Sequence, residues 1–481
     1  GNNIYWYGHQ DSSILLQNVR FDNTSNTNNI NGDTGAGTPT WKTCADDPCT
    51  SGNSCAAADA TDEKLGVTCS ATYAYGPRER VYAASTASYA GTACGDASAC
   101  QVACTADDAC AGYTRTEAPV PDAGIVAWGD SSTGGSGAPS SGTYVTIVGS
   151  RYAFTALTTS GFITAWGPSY GGGSDAPTDD GYVDIFSAGW AFAALKDDGS
   201  ITAWGNELKG GSGAPTDDGY VKIFSTDSAF AAIKDDGSIT AWGGSSYGGS
   251  GAPTDNGYTS ISFNFNAFAA LKSDGSITAW GHSSYGGSGA PTDNGYVTIY
   301  STTKAFAAMK ADGSITAWGS SSFGGSGAPT DNGYTSIVSA HRAFAALKDD
   351  GTITAWGDSA HGGSGEPTDN GYVAIFSNEL AFAALKDDGS VTAWGYSDYG
   401  VSDTPTDNAY VTIFSSDGAF AALKADGSIT AWGSPDHGGS GAPTDAGYVT
   451  IFSTERAFTA RKSDGSITVW GHAHGASGAP S

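Results

Sequence analysis

The chain has 481 residues, a net charge of −28 and 70 glycines. So acidic a sequence lacks the clustered Lys and Arg that phosphate binding needs, which excludes nucleic acid and disfavours anionic membrane surfaces as partners. Glycine at this frequency argues against helices, and no apolar run of about 18 residues offers a membrane-spanning helix.

The N-terminal segment, residues 1–43, is rich in Asn, Thr and Gly. It opens on Gly1, as expected of a processed N terminus whose leader has been removed. Asn23-Thr24-Ser25 is an N-glycosylation sequon. Residues 44–118 hold all eight cysteines, Cys44, Cys49, Cys55, Cys69, Cys94, Cys100, Cys104 and Cys110. An even number packed this densely predicts a disulfide framework, hence an oxidising compartment and a secreted or cell-surface protein. Zinc is the rival reading. It is disfavoured because even the closest pair, Cys100 and Cys104, has no His partner nearby, and no His lies between Cys44 and Cys110. Glu117 to Pro121 reads as a stiff linker.

From residue 119 to 481 the sequence is periodic. Trp128, Trp166, Trp204, Trp242, Trp280, Trp318, Trp356, Trp394, Trp432 and Trp470 follow one another at intervals of 38 residues. In one period, Tyr220–Ser225, Ala229–Lys234 and Ser238–Trp242 alternate as strands do. Asp235-Asp236-Gly237 and Pro215 to Gly219 read as turns. The Gly-Gly-Ser-Gly stretch is open between a weak fourth strand and a loop. Three or four short strands per period predict an all-β array of propeller blades, nine or ten in number, closed as a ring or open as a spiral. The recurrent Trp is expected in the core, with small Ala residues opposite large ones letting adjacent blades interdigitate.

The run Y-V-T-I-F-S, then A-F-A-A-L-K-D-D-G-S-I-T-A-W-G, then a Gly-rich loop ending in Pro, resembles the repeats of the regulator-of-chromosome-condensation group. It is most similar to the variant in β-lactamase-inhibitor propellers. The resemblance covers residues 124–481 and implies a fold rather than a function. Members of that family commonly close at seven blades. Nine full repeats and an extra strand at Ile125 to Gly129 depart from that pattern. The segment Cys100-Gln-Val-Ala-Cys104-Thr-Ala-Asp-Asp-Ala-Cys110-Ala-Gly-Tyr113 resembles the end of a PAN/apple module, which implies protein or carbohydrate binding.

No catalytic constellation stands out: none of the seven His recurs at one position throughout the repeats, and no nucleophile elbow, zinc-protease helix or phosphate loop stands out. The chain is therefore read as a non-enzyme without cofactor. The acidic turns, such as Asp197-Asp198-Gly199 and Asp217-Asp218-Gly219, carry hairpin chemistry, with calcium as the alternative.

Two places vary from repeat to repeat. Five residues past the Trp stand Lys209, Tyr247, Tyr285, Phe323, His361, Tyr399 and His437. The turn between first and second strands holds, among others, Trp190, Phe265 and Arg342. Topology predicts both at one end of the blades, with the invariant acidic turns at the other. Aromatic and basic residues dominate binding hot spots, so this end is the candidate recognition surface, against neutral drift in exposed loops. The sequence thus points to a secreted, non-enzymatic scaffold of the cell surface, matrix or a surface filament. The chief alternative is a propeller that grips a protein or glycan through its variable face, and a carbohydrate-active enzyme is the third. Partners are expected to be protein, glycan or copies of the chain itself.

Overall fold

The computed structural model describes residues 131–472, residues 124, 125 and 127, and the backbone of four short strands, Ala60–Asp62, Val67–Cys69, Ala74–Tyr75 and Val81–Tyr82. The first two of these strands pair antiparallel, as do the last two. The disulfides, the Asn23 sequon, the apple-type resemblance and most of the extra strand expected at Ile125 to Gly129 lie outside the described residues.

From Tyr144 to Gly471 the chain forms nine three-stranded antiparallel sheets, each with its strands in chain order. Sheet 1 contains Tyr144–Gly149, Phe154–Thr158 and Ile163–Trp166. Sheet 3 contains Tyr220–Ser225, Ala229–Lys234 and Ile239–Gly243, and sheet 9 ends with Ile467–Gly471. The fold is the all-β blade repeat that the 38-residue period predicts. The Gly-rich stretch is not a fourth strand; it follows a short 3-10 turn such as Ser245–Tyr247.

Local chemistry fixes each blade. The hairpin at Asp235-Asp236-Gly237 needs a left-handed residue, and Gly237 supplies it at φ +77°. Asp236 Oδ1 accepts from Ser238 N at 2.8 Å and from its hydroxyl at 2.6 Å, closing the turn. The first strand contains a bulge: Tyr220 pairs with Lys234, but Lys222 already pairs with Ile233. Tyr220 and Ile223 are three residues apart and would face opposite sides of a regular strand. The extra residue at Val221 turns both into the same core.

Packing is between neighbours. Ala191, Ala193, Leu195 and Ile201 of sheet 2 meet Tyr220, Ile223, Phe230, Ala232 and Trp242 of sheet 3. Phe230 and Trp242 stack at 5.2 Å and 21°, and equivalent pairs recur in all nine sheets. The Trp242 indole donates Nε1–H to Gly210 O at 3.1 Å, in the loop that leaves the preceding sheet. Gly210 is held at φ +99°, and a Cβ there would lie 2.6 Å from the Phe230 ring. The Trp is therefore core, and burying each such ring contributes about 1.5–3 kcal/mol. Sheet 9 departs from its predecessor: Thr459, Arg461 and Val469 stand where sheet 8 has Ala421, Leu423 and Ala431. Its Ile467 is 39% exposed against 9% for Ile429.

Candidate functional site

The two variable places of each repeat meet at one end of the sheets. Asn206 N donates to Trp190 O, Gly244 N to Ser228 O, His282 N to Asn266 O and Ser320 N to Lys304 O, all within 3.0 Å. Each bond ties the loop after a Trp to the first turn of its own sheet. The two invariant turns meet at the other end, where Gly257 N donates to Asp236 O at 2.9 Å. The variable and acidic turns are thus segregated to opposite ends, as topology predicts.

The first turns of successive sheets are also hydrogen-bonded to one another. Arg151 N donates to Gly189 O at 3.2 Å, Gly189 N to Asp227 O at 2.9 Å, and Asp227 N to Phe265 O at 3.2 Å. After a gap, Thr303 N reaches His341 O, His341 N reaches Glu379 O, Glu379 N reaches Asp417 O and Asp417 N reaches Glu455 O, at 2.9–3.2 Å. Every step joins residues 38 apart in the chain. The result is a ladder of turns that places one side chain per repeat in register.

The candidate residues flank this ladder. Lys209 Nζ lies 4.5 Å from the Tyr247 ring centre. Lys304 Nζ sits between Tyr285 and Phe323, at 5.0 and 4.9 Å, and the Arg342 guanidinium lies 5.0 Å from Phe323. His361 stacks on Tyr396 at 6.2 Å, Tyr396 meets Tyr399 edge-on at 5.5 Å, and Tyr399 meets His437 at 5.5 Å. Trp190 packs with Tyr152 at 4.6 Å, with Arg151 at 5.9 Å from its ring. Phe265 is half-buried in the ladder itself. None of the ten is fully exposed, and Phe323 is buried at 8%. They pack in groups along the ladder rather than standing as a set of free loop side chains.

The row carries charge that the sequence reading did not single out. Glu379, Asp417 and Glu455 occupy three consecutive rungs. Burial, reinforced by the charges of Glu455 and Glu379, pushes the Asp417 carboxyl up to about 7. Burial also raises Glu379. It depresses His341 to about 4, helped by Arg342, His361 and Lys304. His341 Nδ1 lies 3.6 Å from Glu379 Oε1, but with its pKa so low the imidazole is neutral at pH 7 and the contact is no ion pair. Asp358, also unforeseen, stands 3.0 Å from His361 Nδ1 and 3.6 Å from Arg342 Nη1. The signal for the acidic column was in the sequence: acids at one repeat position in three periods running.

At the opposite end the acidic turns are largely occupied. Asp217 takes Lys234 Nζ on Oδ2 at 2.6 Å and the Tyr220 hydroxyl on Oδ1 at 3.1 Å. That hydroxyl also hydrogen-bonds with Thr240 Oγ1 at 2.7 Å. The same Asp–Lys–Tyr set recurs from Asp179 to Asp445, and the lysine hydrogen bond is the chief cause holding these carboxyls below their usual range. In each of these repeats one Asp is thus ion-paired and another, such as Asp198, closes a hairpin. Among the described residues no three His, Cys, Asp or Glu side chains converge to hold a metal ion.

No family model matches the chain, and no curated protein does. Solved structures do resemble it. The ectodomain of the receptor kinase CR4 from Physcomitrella patens is 18% identical, covering 53% of this chain and 73% of its own at a TM-score of 0.34. The CRINKLY WD40 ectodomain of the receptor kinase ACR4 from Arabidopsis thaliana is 17% identical over 55% of this chain and 99% of its own, with a TM-score of 0.31. Prp20p from Saccharomyces cerevisiae is 16% identical over 47% of this chain and 75% of its own, with a TM-score of 0.30. Prp20 is the yeast RCC1, so a member of the regulator-of-chromosome-condensation group, whose repeats the 38-residue motif resembles, is among the structures similar to this chain.

Proposed function

We propose that this chain is a non-catalytic, secreted binding scaffold. The uniform blades form a rigid body, and the row from Arg151 to Arg456 recognises a protein partner. The observation that carries the reading is the register of the row. A hydrogen-bonded ladder brings a different side chain to the same place in each sheet, while the core and the acidic turns stay constant. A constant frame with a variable line of aromatic, basic and acidic groups has the composition of a recognition surface. A glycan is the alternative ligand, since stacked Tyr rings with neighbouring carboxylates suit sugar hydroxyls as well. Association with further copies of the chain in a matrix or filament is supported by the ninth sheet. Its Phe452 and Ile467 are 43% and 39% exposed among the described residues.

The test replaces Tyr247, Tyr285 and Tyr399 together by Ser. These three are half-buried at the row, and the Phe–Trp cores are untouched. Capture of a partner in cross-linking of the native extracellular material, and self-association by sedimentation, are compared with the unaltered chain. Loss of both at unchanged melting temperature supports the row as the contact. Binding that survives the triple change but fails when residues 1–118 are removed places recognition elsewhere.

A further inference from the structure

Four successive repeats carry the same exposed dipeptide ahead of the first strand: Asn256-Gly257, Asn294-Gly295, Asn332-Gly333 and Asn370-Gly371. Asparagine followed by glycine is the pair most open to intramolecular attack on the side-chain amide, because no Cβ hinders the following nitrogen. In the reaction the glycine nitrogen bonds to the asparagine Cγ. The Cγ–Nδ2 bond breaks, and ammonia leaves with the proton lost by the glycine nitrogen. Water then opens the cyclic imide at either carbonyl, giving aspartate or isoaspartate. No oxidant or cofactor takes part.

The fold bears directly on the attacking atom. In all four turns the glycine N–H is donated to the hairpin of the preceding sheet: Gly257 to Asp236 O at 2.9 Å, Gly295 to Asp274 O at 3.1 Å, Gly333 to Asp312 O at 2.9 Å and Gly371 to Asp350 O at 3.3 Å. Each glycine is held at φ +84° to +86°. A nitrogen whose proton is held by a carbonyl, in a fixed backbone, cannot become the nucleophile until that bond opens. The chain also shows that the aspartate product fits. Asp180 and Asp218 occupy the same place in two other repeats, and Gly219 N still donates to Asp198 O at 3.1 Å.

We propose that these four asparagines are latent deamidation sites, gated by the hydrogen bond that ties each turn to the neighbouring sheet. Conversion reports local opening of one sheet-to-sheet junction and adds one negative charge beside an existing Asp–Lys pair. Asn408 is the built-in control, because Ala409 follows it and its Cβ obstructs attack.

Folded protein and protein in guanidinium are held at mildly alkaline pH, digested, and read by mass for amide-to-acid conversion and isoaspartate. In the unfolded chain the four Asn-Gly sites of the repeats convert at a common rate, ahead of Asn408. In the folded chain they convert more slowly by about ten-fold, the factor that one net hydrogen bond supplies. Asp236→Ala removes the carboxylate that closes the hairpin accepting Gly257 N–H. It should accelerate Asn256 alone, whereas Asp236→Ser, which keeps an acceptor oxygen without creating a further Asn-Gly pair, should not. The other three sites in the same molecule report that the array stays folded. If Asp236→Ala releases all four by unfolding the array, the comparison of folded and unfolded native chain decides. Equal rates in folded and unfolded chain overturn the proposal, as does an Asn256 that stays in step with the other three in a folded Asp236→Ala variant.

Discussion

Arg151 donates Nη2–H to Asp227 Oδ1 at 2.9 Å across two repeats, because the rung between them is Gly189. A Cβ on Gly189 would stand 2.8 Å from that same Oδ1 and 3.0 Å from the Asp227 carbonyl oxygen. Both charged side chains are well covered, at 18% and 10% exposure, so solvent screens the pair less than a surface bridge. Gly189→Ala is therefore expected to cost about 1–3 kcal/mol as an overpacked site. In a double-mutant cycle with Arg151→Ala the two losses should fall short of additive, since both break one contact. Guanidinium titration of the four proteins measures the difference.

Asp417 should make the array less stable as pH rises. Its carboxyl is raised to about 7 by burial beside Glu455 and Glu379, with Arg456 opposing. Tyr399 and His437 are the other titratable groups at the row here, and burial raises the first and lowers the second. The native state binds the Asp417 proton more tightly than the unfolded chain does. The contribution is thus complete below pH 4 and is lost between about pH 4 and 7. Asp417→Asn should raise the melting temperature at pH 8, leave it almost unchanged at pH 4, and flatten the slope between.

Ala409 holds φ +72° where seven of the eight other equivalent turns place a left-handed Gly. An L-residue with a Cβ costs roughly 1–2 kcal/mol in that region. Ala409→Gly should therefore stabilise sheet 8, by somewhat less than that figure because glycine also loosens the unfolded chain. Hydrogen exchange of Tyr410 and its strand should slow accordingly.

Trp280→Ala should cost about 3–5 kcal/mol, as other large-to-small core changes do. Trp280→Phe separates packing from hydrogen bonding. It keeps a ring against Phe268 but leaves Gly248 O without the indole N–H that it accepts at 3.0 Å. That orphaned carbonyl should cost about 1–3 kcal/mol. Both effects should show first in exchange of sheets 3 and 4, because repeat arrays lose neighbour contacts before distant ones.

Much of this was legible from the chain. The 38-residue Trp period, the Asp-Gly turns and the alternation of Ala229–Lys234 foretold the strands within a residue or two. The pairing of variable turns at one end followed from hairpin topology alone. Other features depend on geometry that no local pattern encodes. Val221 reads as an ordinary strand residue, and only the shared burial of Tyr220 and Ile223 reveals the bulge. Phe323 sits among exposed loop positions in the sequence, yet Lys304 and Arg342 fold over it. The contact of Arg151 with Asp227 spans 76 residues and needs a missing side chain on the rung between. The acidic column of Glu379, Asp417 and Glu455 becomes a single electrostatic unit only once the turns are stacked.

The ladder of first turns has a single interruption among the described residues, between Phe265 and Thr303. Asn266 Oδ1 and Thr303 Oγ1 are buried beside it without a protein partner. A beam built of equal segments fails where one joint is softer than the rest. Sheets 1–4 and sheets 5–9 are each stitched along this line, whereas between them no rung bond forms and the hydroxyls of Ser301 and Ser262 donate instead to Phe263 O at 2.8 Å and Ile299 O at 3.2 Å. Under bending or shear the array should crease there first, so the two stitched blocks, not the nine blades, are its mechanical units.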